Sequence, residues 1–234
     1  MSRYGRITKS GLIYHVINRG NNKQVIFAED EDYLHYLNTI QRYKKKFGFK
    51  LFAFCLMTNH VHMLIQVSGG GSISKIMQSI TVAHTKRYNF KYQRSGHVWQ
   101  GRFMSPLVSS DEHMLTIMRY IEQNPVRASM VGSVEDYHWS SYRLNVREAE
   151  SLLLEREDNN CFLNLGSDLK SRILQYKQKM RENIETEKLE EIWKTTRKGG
   201  NYLSEKFQKQ ILELLPNRKK RGRPKQQNEL IVTY

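Results

Sequence analysis

The chain has 234 residues, and its 38 lysines and arginines against 23 aspartates and glutamates give a formal net charge of +15 at pH 7. This length allows one or two domains with a sizeable core, and the cationic excess favours a polyanionic partner such as nucleic acid. The two cysteines, Cys55 and Cys161, form no CxxC motif, which fits a reducing compartment. The N-terminus lacks an apolar signal segment and no apolar run reaches membrane-spanning length, so a cytoplasmic, nucleoid-associated protein without a membrane partner is expected.

The apolar pattern predicts the element order β-α-β-β-α-β-α. In chain order, a strand is predicted over 11–19, a helix over 30–47, strands over 51–57 and 60–67, a helix from 73 towards 88, an interrupted strand over 97–110 and a helix from 111. This order is typical of an α+β, ferredoxin-like fold, an antiparallel sheet with helices packed on one face. The opposite face of the sheet is then expected to be free for a ligand.

The composition changes after the predicted α+β region, and three segments are predicted: an α+β domain over 1–150, a helical extension over 151–215 and a basic tail over 216–234. The stretch PNRKKRGRPK at 216–225 carries six basic residues and no acidic one. Its RGRP sequence resembles an AT-hook core, in which Arg221 and Arg223 would enter a narrow A·T minor groove. The alternative is a solvated tail that is attracted only to phosphates.

Two histidines, His60 and His62, stand one residue apart on the predicted strand MTNHVHMLIQ. Because side chains alternate along a strand, both imidazoles share one face and can direct a nitrogen at a single cation. The pair alone does not establish metal binding, since the H-x-H pattern also arises by chance. Two imidazoles do not close a structural zinc site, which takes four protein ligands, and an open site suits a divalent metal that holds a substrate phosphate.

The predicted third helix carries Tyr120 away from the centre of its apolar stripe, with Asn124 one turn further on nearly the same side. Pro125 disfavours helix at the preceding residue and so places Asn124 at the end of the helix. A phenolic oxygen can act as a covalent nucleophile on a phosphodiester when a cation stabilises the charge on the phosphate. The alternative is a structural, half-buried tyrosine.

These residues, taken together, resemble the REP-associated tyrosine transposases of bacteria, a branch of the single-tyrosine HUH transposases. The motifs that carry the resemblance lie within roughly residues 12–143 and read YHVINRGNNKQVIF, MTNHVHMLIQV, GHVWQGRFMSPLV, YIEQNPVRA and DYHWSSYR. The resemblance implies a ferredoxin-like catalytic domain over 1–150, active in DNA transposition and recombination. It also implies REP-type hairpins in single-stranded DNA as substrates, and a monomer, with a dimer as the alternative.

The resemblance further implies the role of each site residue. Mg²⁺ or Mn²⁺ would be bound by His60, His62 and the amide of Asn124. Tyr120 would attack a single-stranded phosphodiester, forming a 5′-phosphotyrosine and freeing a 3′-hydroxyl. A transesterification of this kind conserves the phosphodiester energy, and the chain has no GxxxxGK[ST] nucleotide-binding loop.

Several basic residues are predicted to contact DNA. Arg127 follows the NPV turn and would reach a phosphate or pair with an acid, while Trp99 is expected in the core rather than as a base-stacking platform. The other predicted DNA contacts are Lys86, Arg87, Lys91, Arg94, Arg102, Arg221 and Arg223. The histidines without a distinguishing partner spacing are His15, His35, His84, His97, His113 and His138.

Three other functions compete with a covalent nuclease. The first is a hairpin DNA- or RNA-binding regulator without catalysis, although the RNP1 pattern of RNA-binding RRM domains is missing from the sequence. The second is a metal-dependent nuclease that uses water as its nucleophile, with Tyr120 structural. The third is a transcriptional repressor that acts through its C-terminal region.

Overall fold

The sheet is antiparallel and has the strand order of a ferredoxin-like fold. A computed structural model describes residues 9–69, 71–109, 113–198 and 200–213. Within these residues the strands are β1 (Ile13–Arg19), β2 (Lys50–Met57), β3 (His60–Gln66) and β4 (Leu107–Val108). They lie side by side in the order β2-β3-β1-β4, every neighbouring pair antiparallel. The predicted fold class is therefore confirmed.

Two long helices cover one face of this sheet. The first, α1 (Asp30–Phe47), begins where the Asp32 carboxylate accepts the backbone N–H of Glu29 at 3.2 Å, and ends at Gly48, whose φ of 64° suits a residue without a Cβ. The second is α2 (Ile73–Lys91). Both pack onto the strand residues that point away from the histidines; the strand members of this core include Tyr14, Val16, Val61, Met63 and Ile65.

The predicted strand over 97–110 forms regular structure only at β4. Before β4 the segment follows the edge of β1 through separate backbone bonds: Met104 and Ile17 exchange two, at 2.8 and 2.9 Å, and the Gln100 N–H donates to the Arg19 carbonyl at 2.8 Å. Gly101 has a φ of 98°, so the chain turns there and the ladder is interrupted at this glycine, as the sequence predicted.

The second face of the sheet is covered, and the expectation that it would be free for a ligand is wrong. The helix α3 (His113–Glu122) lies against β2 and β3. Its apolar stripe buries Met114, Ile117, Met118 and Ile121 against the strand residues Ala53, Cys55 and Leu64. Because these strand positions are themselves apolar, α3 and the sheet remove one another's surface from water.

The remaining helices follow α3 along the chain. They are α4 (Asn124–Arg127), α5 (Tyr142–Asn145), α6 (Asn160–Leu163), α7 (Leu169–Arg181), α8 (Thr186–Lys198) and α9 (Glu205–Glu213). Side chains of α7 and α8 share one buried cluster with α3. The boundaries at 150 and 215 stay predictions, and the basic tail, with Arg221 and Arg223, lies outside the described residues. None of the helices in the described part of the chain is long and apolar enough to cross a membrane.

Candidate active site

Strand register brings three histidines to one face of the sheet. In the β1–β3 ladder Arg19 lies opposite His60 and Ile17 opposite His62. Residues opposite one another in an antiparallel pair point to the same side. His15, two residues before Ile17, therefore faces the same way as His60 and His62, on the side covered by α3.

The two histidines of the H-x-H motif have the spacing of a shared metal ligand pair. Their ring centroids are 5.1 Å apart, close to the value of about 5 Å expected when two imidazoles hold one ion at about 2.1 Å. Burial lowers the pKa of His60 to about 4, with the charge of Arg19 acting in the same direction. Burial also lowers the pKa of His62 far below its ordinary value. Both rings are thus neutral near pH 7 and keep a nitrogen lone pair.

The Nδ1 atom of each ring already has a partner. His60 Nδ1 lies 2.6 Å from the side-chain oxygen of Asn59, and His62 Nδ1 lies 2.9 Å from His15 Nε2. Because an amide oxygen only accepts, His60 Nδ1 carries the proton and its Nε2 carries the lone pair. Each imidazole is therefore left with Nε2 as the atom that can bind a metal, which fits a divalent cation.

These ligands do not complete a metal site by themselves. In the described parts of the chain no group of three or more histidine, cysteine, aspartate or glutamate side chains could hold a metal ion. A metal at His60 and His62 would thus need further ligands, such as water or substrate oxygens. An open coordination shell is the arrangement that catalytic metal sites use.

Tyr120 lies beside the histidines within the same chain. Its ring centroid is 5.8 Å from that of His62 and 5.8 Å from that of His15, and it meets both rings edge-on. The side chain is only 7% exposed, because α3 presses it against the sheet. One chain therefore supplies both the imidazole pair and the predicted nucleophile.

Asn124 stands at the first position of α4, directly after Gln123, which agrees with its predicted place at a helix end. Its Nδ2 donates to the carbonyl oxygens of Tyr120 at 3.0 Å and Ile121 at 3.3 Å. Since the amide nitrogen is used by the helix, the side-chain oxygen is the atom that can bind a metal.

Arg127 belongs to the site rather than to the outer surface. Its guanidinium carbon lies 4.2 Å from the centroid of the Tyr120 ring, a cation–π contact. Nη2 donates to the Tyr120 carbonyl, and Nη1 is buried without a hydrogen-bond partner among the described residues. No carboxylate in the described chain forms an ion pair with it, so the acid partner considered from the sequence is not found.

The cations in and after α2 that were predicted to contact DNA differ in whether a carboxylate already pairs with them. Lys91 lies 2.9 to 3.4 Å from three carboxylates around the start of α1, and Arg87 lies 3.3 Å from one of them. Lys86, Arg94 and Arg102 are exposed. These three exposed cations can contact DNA phosphates without first breaking an ion pair.

Trp99 is a core residue, as predicted. It packs against the cluster between the sheet and the long helices, and its indole N–H donates to the carbonyl of Thr81 at 3.3 Å.

Sequence reasoning missed three contributors to the site: His15, Asn59 and Arg19. None of the three follows a spacing that marks it as part of a site. The signal that would have found His15 and Arg19 is the antiparallel register of β1 against β3, since both point to the histidine face.

Comparison with known proteins identifies the family of the chain. A family model described as Transposase IS200 like matches residues 8–124, which is half of the chain. A relative from Haemophilus influenzae, provisionally named REP-associated tyrosine transposase, is 27% identical over 168 residues, covering 63% of this chain and 89% of the relative.

One solved structure has a similar fold. The structure of a REP-associated tyrosine transposase bound to a REP hairpin has a TM-score of 0.54 at 21% identity, covering 66% of this chain and 92% of that one. A provisionally named transposase from Deinococcus radiodurans has a TM-score of 0.37 at 22% identity, covering 52% of this chain and 96% of that one.

The family match includes the whole of the candidate site apart from Arg127. It spans His15, both histidines of the H-x-H motif and Tyr120, and it ends at Asn124. The resemblance to REP-associated tyrosine transposases, predicted from the motifs, is confirmed by these matches. The chain belongs to the IS200-like transposase family.

Proposed function

We propose that this transposase is a single-strand DNA endonuclease and strand transferase that acts on REP-type hairpins through a 5′-phosphotyrosine on Tyr120. The observation that carries the proposal is the position of Tyr120 beside His62, 5.8 Å between ring centroids, on a face where two neutral imidazoles leave Nε2 free.

The proposed reaction is a transesterification at phosphorus. The Tyr120 oxygen forms a bond to phosphorus while the bond from phosphorus to the 3′ oxygen breaks. The phenol proton leaves to solvent, and the departing 3′ oxygen takes up a proton. Attack by a 3′-hydroxyl on the phosphotyrosine runs the same exchange in reverse and joins strands, so the number of phosphodiester bonds is conserved.

Charge on the phosphate oxygens needs stabilisation during this exchange. Mg²⁺ or Mn²⁺ bound by His60, His62 and Asn124 would supply a Lewis acid for one of these oxygens. The buried, unpartnered Nη1 of Arg127 would donate to another, while the guanidinium stays over the Tyr120 ring.

The hairpin itself would be held mainly by charge. The chain carries a formal +15, and Lys86, Arg94 and Arg102 are exposed cations that no described carboxylate neutralises. The structural neighbour with the REP hairpin supports the same class of ligand for this chain. Lys91 and Arg87 would join the DNA contacts by exchanging their carboxylate partners for phosphates.

Covalent trapping tests the proposal. Full-length protein is incubated with Mn²⁺ or Mg²⁺ and end-labelled hairpin oligonucleotides from repeats that flank its own gene, and adducts are resolved on denaturing gels. Tyr120→Phe is expected to abolish the adduct and to keep hairpin affinity within about twofold, since one hydroxyl is lost from a site dominated by charge. His62→Ala is expected to lose the metal-dependent adduct.

Tyr137→Phe is the matched control, because Tyr137 is also 7% exposed and lies in the same core cluster. It should form the adduct at the wild-type rate. Cleavage without an adduct, unchanged in Tyr120→Phe, would assign the attack to water and overturn the covalent mechanism. Hairpin binding with neither cleavage nor adduct would favour the regulator without catalysis.

A further inference from the structure

His15 is a buried imidazole directly behind one of the proposed metal ligands. Its side chain is fully buried, and its Nε2 lies 2.9 Å from His62 Nδ1. The two rings are stacked, with centroids 5.2 Å apart and planes inclined by 25°. A close, nearly parallel pair of this kind fixes the orientation of both rings.

We propose that His15 is a positioning residue, which accepts the Nδ1–H of His62 and thereby fixes the tautomer and direction in which His62 presents Nε2 to the metal. The inference deepens the proposed function and rests on it. His15 is not itself a ligand, because its Nε2 accepts from His62 and its Nδ1 then carries the proton, which leaves neither nitrogen with a free lone pair. Its place on β1, opposite Leu64 rather than opposite either ligand, agrees with this supporting role.

The tautomers follow from counting protons. A neutral imidazole has one N–H, so a His62 that offers the Nε2 lone pair must carry its proton on Nδ1. His15 Nε2 must then be the acceptor, and the proton of His15 must sit on its own Nδ1. That Nδ1 has no hydrogen-bond partner in the described part of the chain, so no other group imposes the opposite tautomer.

The supporting group is an imidazole that is fully buried between the sheet and α3. It differs from the carboxylate that often supports a metal-bound histidine. A carboxylate at this position would bring a negative charge towards the DNA phosphate, whereas an imidazole orients His62 without that repulsion.

The two metal-ligand histidines are thus oriented in the same manner by different groups. His60 is fixed through Nδ1 by the amide oxygen of Asn59, its neighbour in sequence. His62 is fixed through Nδ1 by a residue 47 positions away, on the adjacent strand. The sheet register therefore takes part in building the site, beyond placing the H-x-H motif.

Direct measurement of Mn²⁺ binding tests the inference without relying on catalysis. Free Mn²⁺ is titrated by electron paramagnetic resonance against full-length protein without DNA. His15→Leu, which removes the acceptor, is expected to weaken Mn²⁺ binding by about 10- to 100-fold, the range for loss of a partner that orients a metal ligand. His15→Gln, whose side-chain oxygen can accept from His62, should recover most of the affinity.

A second buried histidine provides the control. His84 is 2% exposed and lies in the core on the other side of the sheet, away from the site. His84→Leu should bind Mn²⁺ as the wild type does, and thermal unfolding of every variant shows that the comparison is between folded proteins. Should His15→Leu disturb folding, His15→Phe takes its place, because phenylalanine keeps an aromatic ring but cannot accept the Nδ1–H of His62. Wild-type Mn²⁺ binding by a folded His15→Phe protein would overturn the role of His15.

The possible outcomes distinguish the role of His15 from the proposed function. If wild-type protein binds Mn²⁺ in a His62-dependent manner and His15→Leu binds equally well, the role of His15 is overturned and the proposed function stands. If the wild type shows no His62-dependent binding, both the metal site and the role of His15 are overturned. Loss in His15→Leu with recovery in His15→Gln supports the inference.

Discussion

At the scale of single residues, Arg127 contacts Tyr120, the proposed nucleophile, through its guanidinium. Arg127→Met is expected to lower the single-turnover rate of adduct formation at saturating oligonucleotide by about 100-fold, the cost of losing one preorganised donor. Arg127→Lys should recover part of the rate, since an ammonium keeps the charge but not the two-pronged contact with Tyr120.

Arg102→Met is the matched control for Arg127→Met, because Arg102 is an exposed cation outside the site. Arg102→Met should weaken hairpin binding and leave the saturated rate unchanged, which is the reverse of the pattern expected for Arg127. Filter binding and single-turnover gels measure the two quantities separately. A variant at Arg127 that weakens binding alone would reduce its role to a phosphate contact.

Spacing along the sequence predicted the site residues that lie within one element, but not the residue contributed by the neighbouring strand. His60 with His62, and Tyr120 with Asn124, are related by the periods of one strand and one helix, which the sequence displays directly. His15 became visible only through the pairing of two strands that are far apart in the chain. Register depends on the whole hydrophobic pattern and on turn geometry, so no short motif records it.

At the scale of elements, α3 is held on the sheet by the C-terminal helices. Glu122 is fully buried and accepts hydrogen bonds from Ser141, Asn145 and Tyr176, while Gln123 donates to the carbonyls at the end of α7. The sequence predicted the helix and its apolar stripe correctly, but it could not show which surface would receive the stripe. That surface proved to be the histidine face itself.

The helix α2 is tied through His84 to the segment that precedes α1, and this contact predicts a pH dependence of stability. His84 Nε2 lies 3.0 Å from the Ile26 carbonyl oxygen, and burial lowers the pKa of His84 to about 4. Between about pH 6.5 and 4 the unfolded chain binds a proton at this residue that the folded chain does not. The contribution of His84 is thus fully present above pH 6.5 and is lost on acidification.

His84→Gln isolates this contribution, because glutamine keeps a donor for Ile26 and cannot become charged. Between pH 7 and pH 4.5 the free energy of unfolding should decrease in both proteins. The decrease should be smaller in the variant than in the wild type, by up to about 3 kcal/mol. Urea denaturation at both pH values measures the difference. Equal losses in the two proteins would mean that His84 is protonated in the folded state as easily as in the unfolded one.

At the scale of the whole molecule, the positive charge is expected to decide how tightly DNA is held. The logarithm of hairpin affinity should fall linearly with the logarithm of salt concentration, with a slope of about −0.7 for every single-strand phosphate contact. Deleting residues 216–234 removes six cations, so the slope should become shallower while the saturated adduct rate stays the same.

Competition between A·T-rich and G·C-rich hairpins, with and without residues 216–234, distinguishes the two roles considered for this basic tail. A preference for A·T-rich duplex that disappears on deletion would indicate minor-groove contact by Arg221 and Arg223. Equal weakening on both sequences would indicate phosphate attraction alone. A salt slope unaffected by the deletion would contradict both.

The presence of Tyr120 and the histidine pair in one chain has a consequence for inheritance. Each copy of the protein places its own Tyr120 beside its own His62, 5.8 Å apart at the ring centroids. If both residues act as proposed, two alleles in one cell, one defective in Tyr120 and the other in His62, are expected to stay inactive together, because neither product would supply the group that the other lacks.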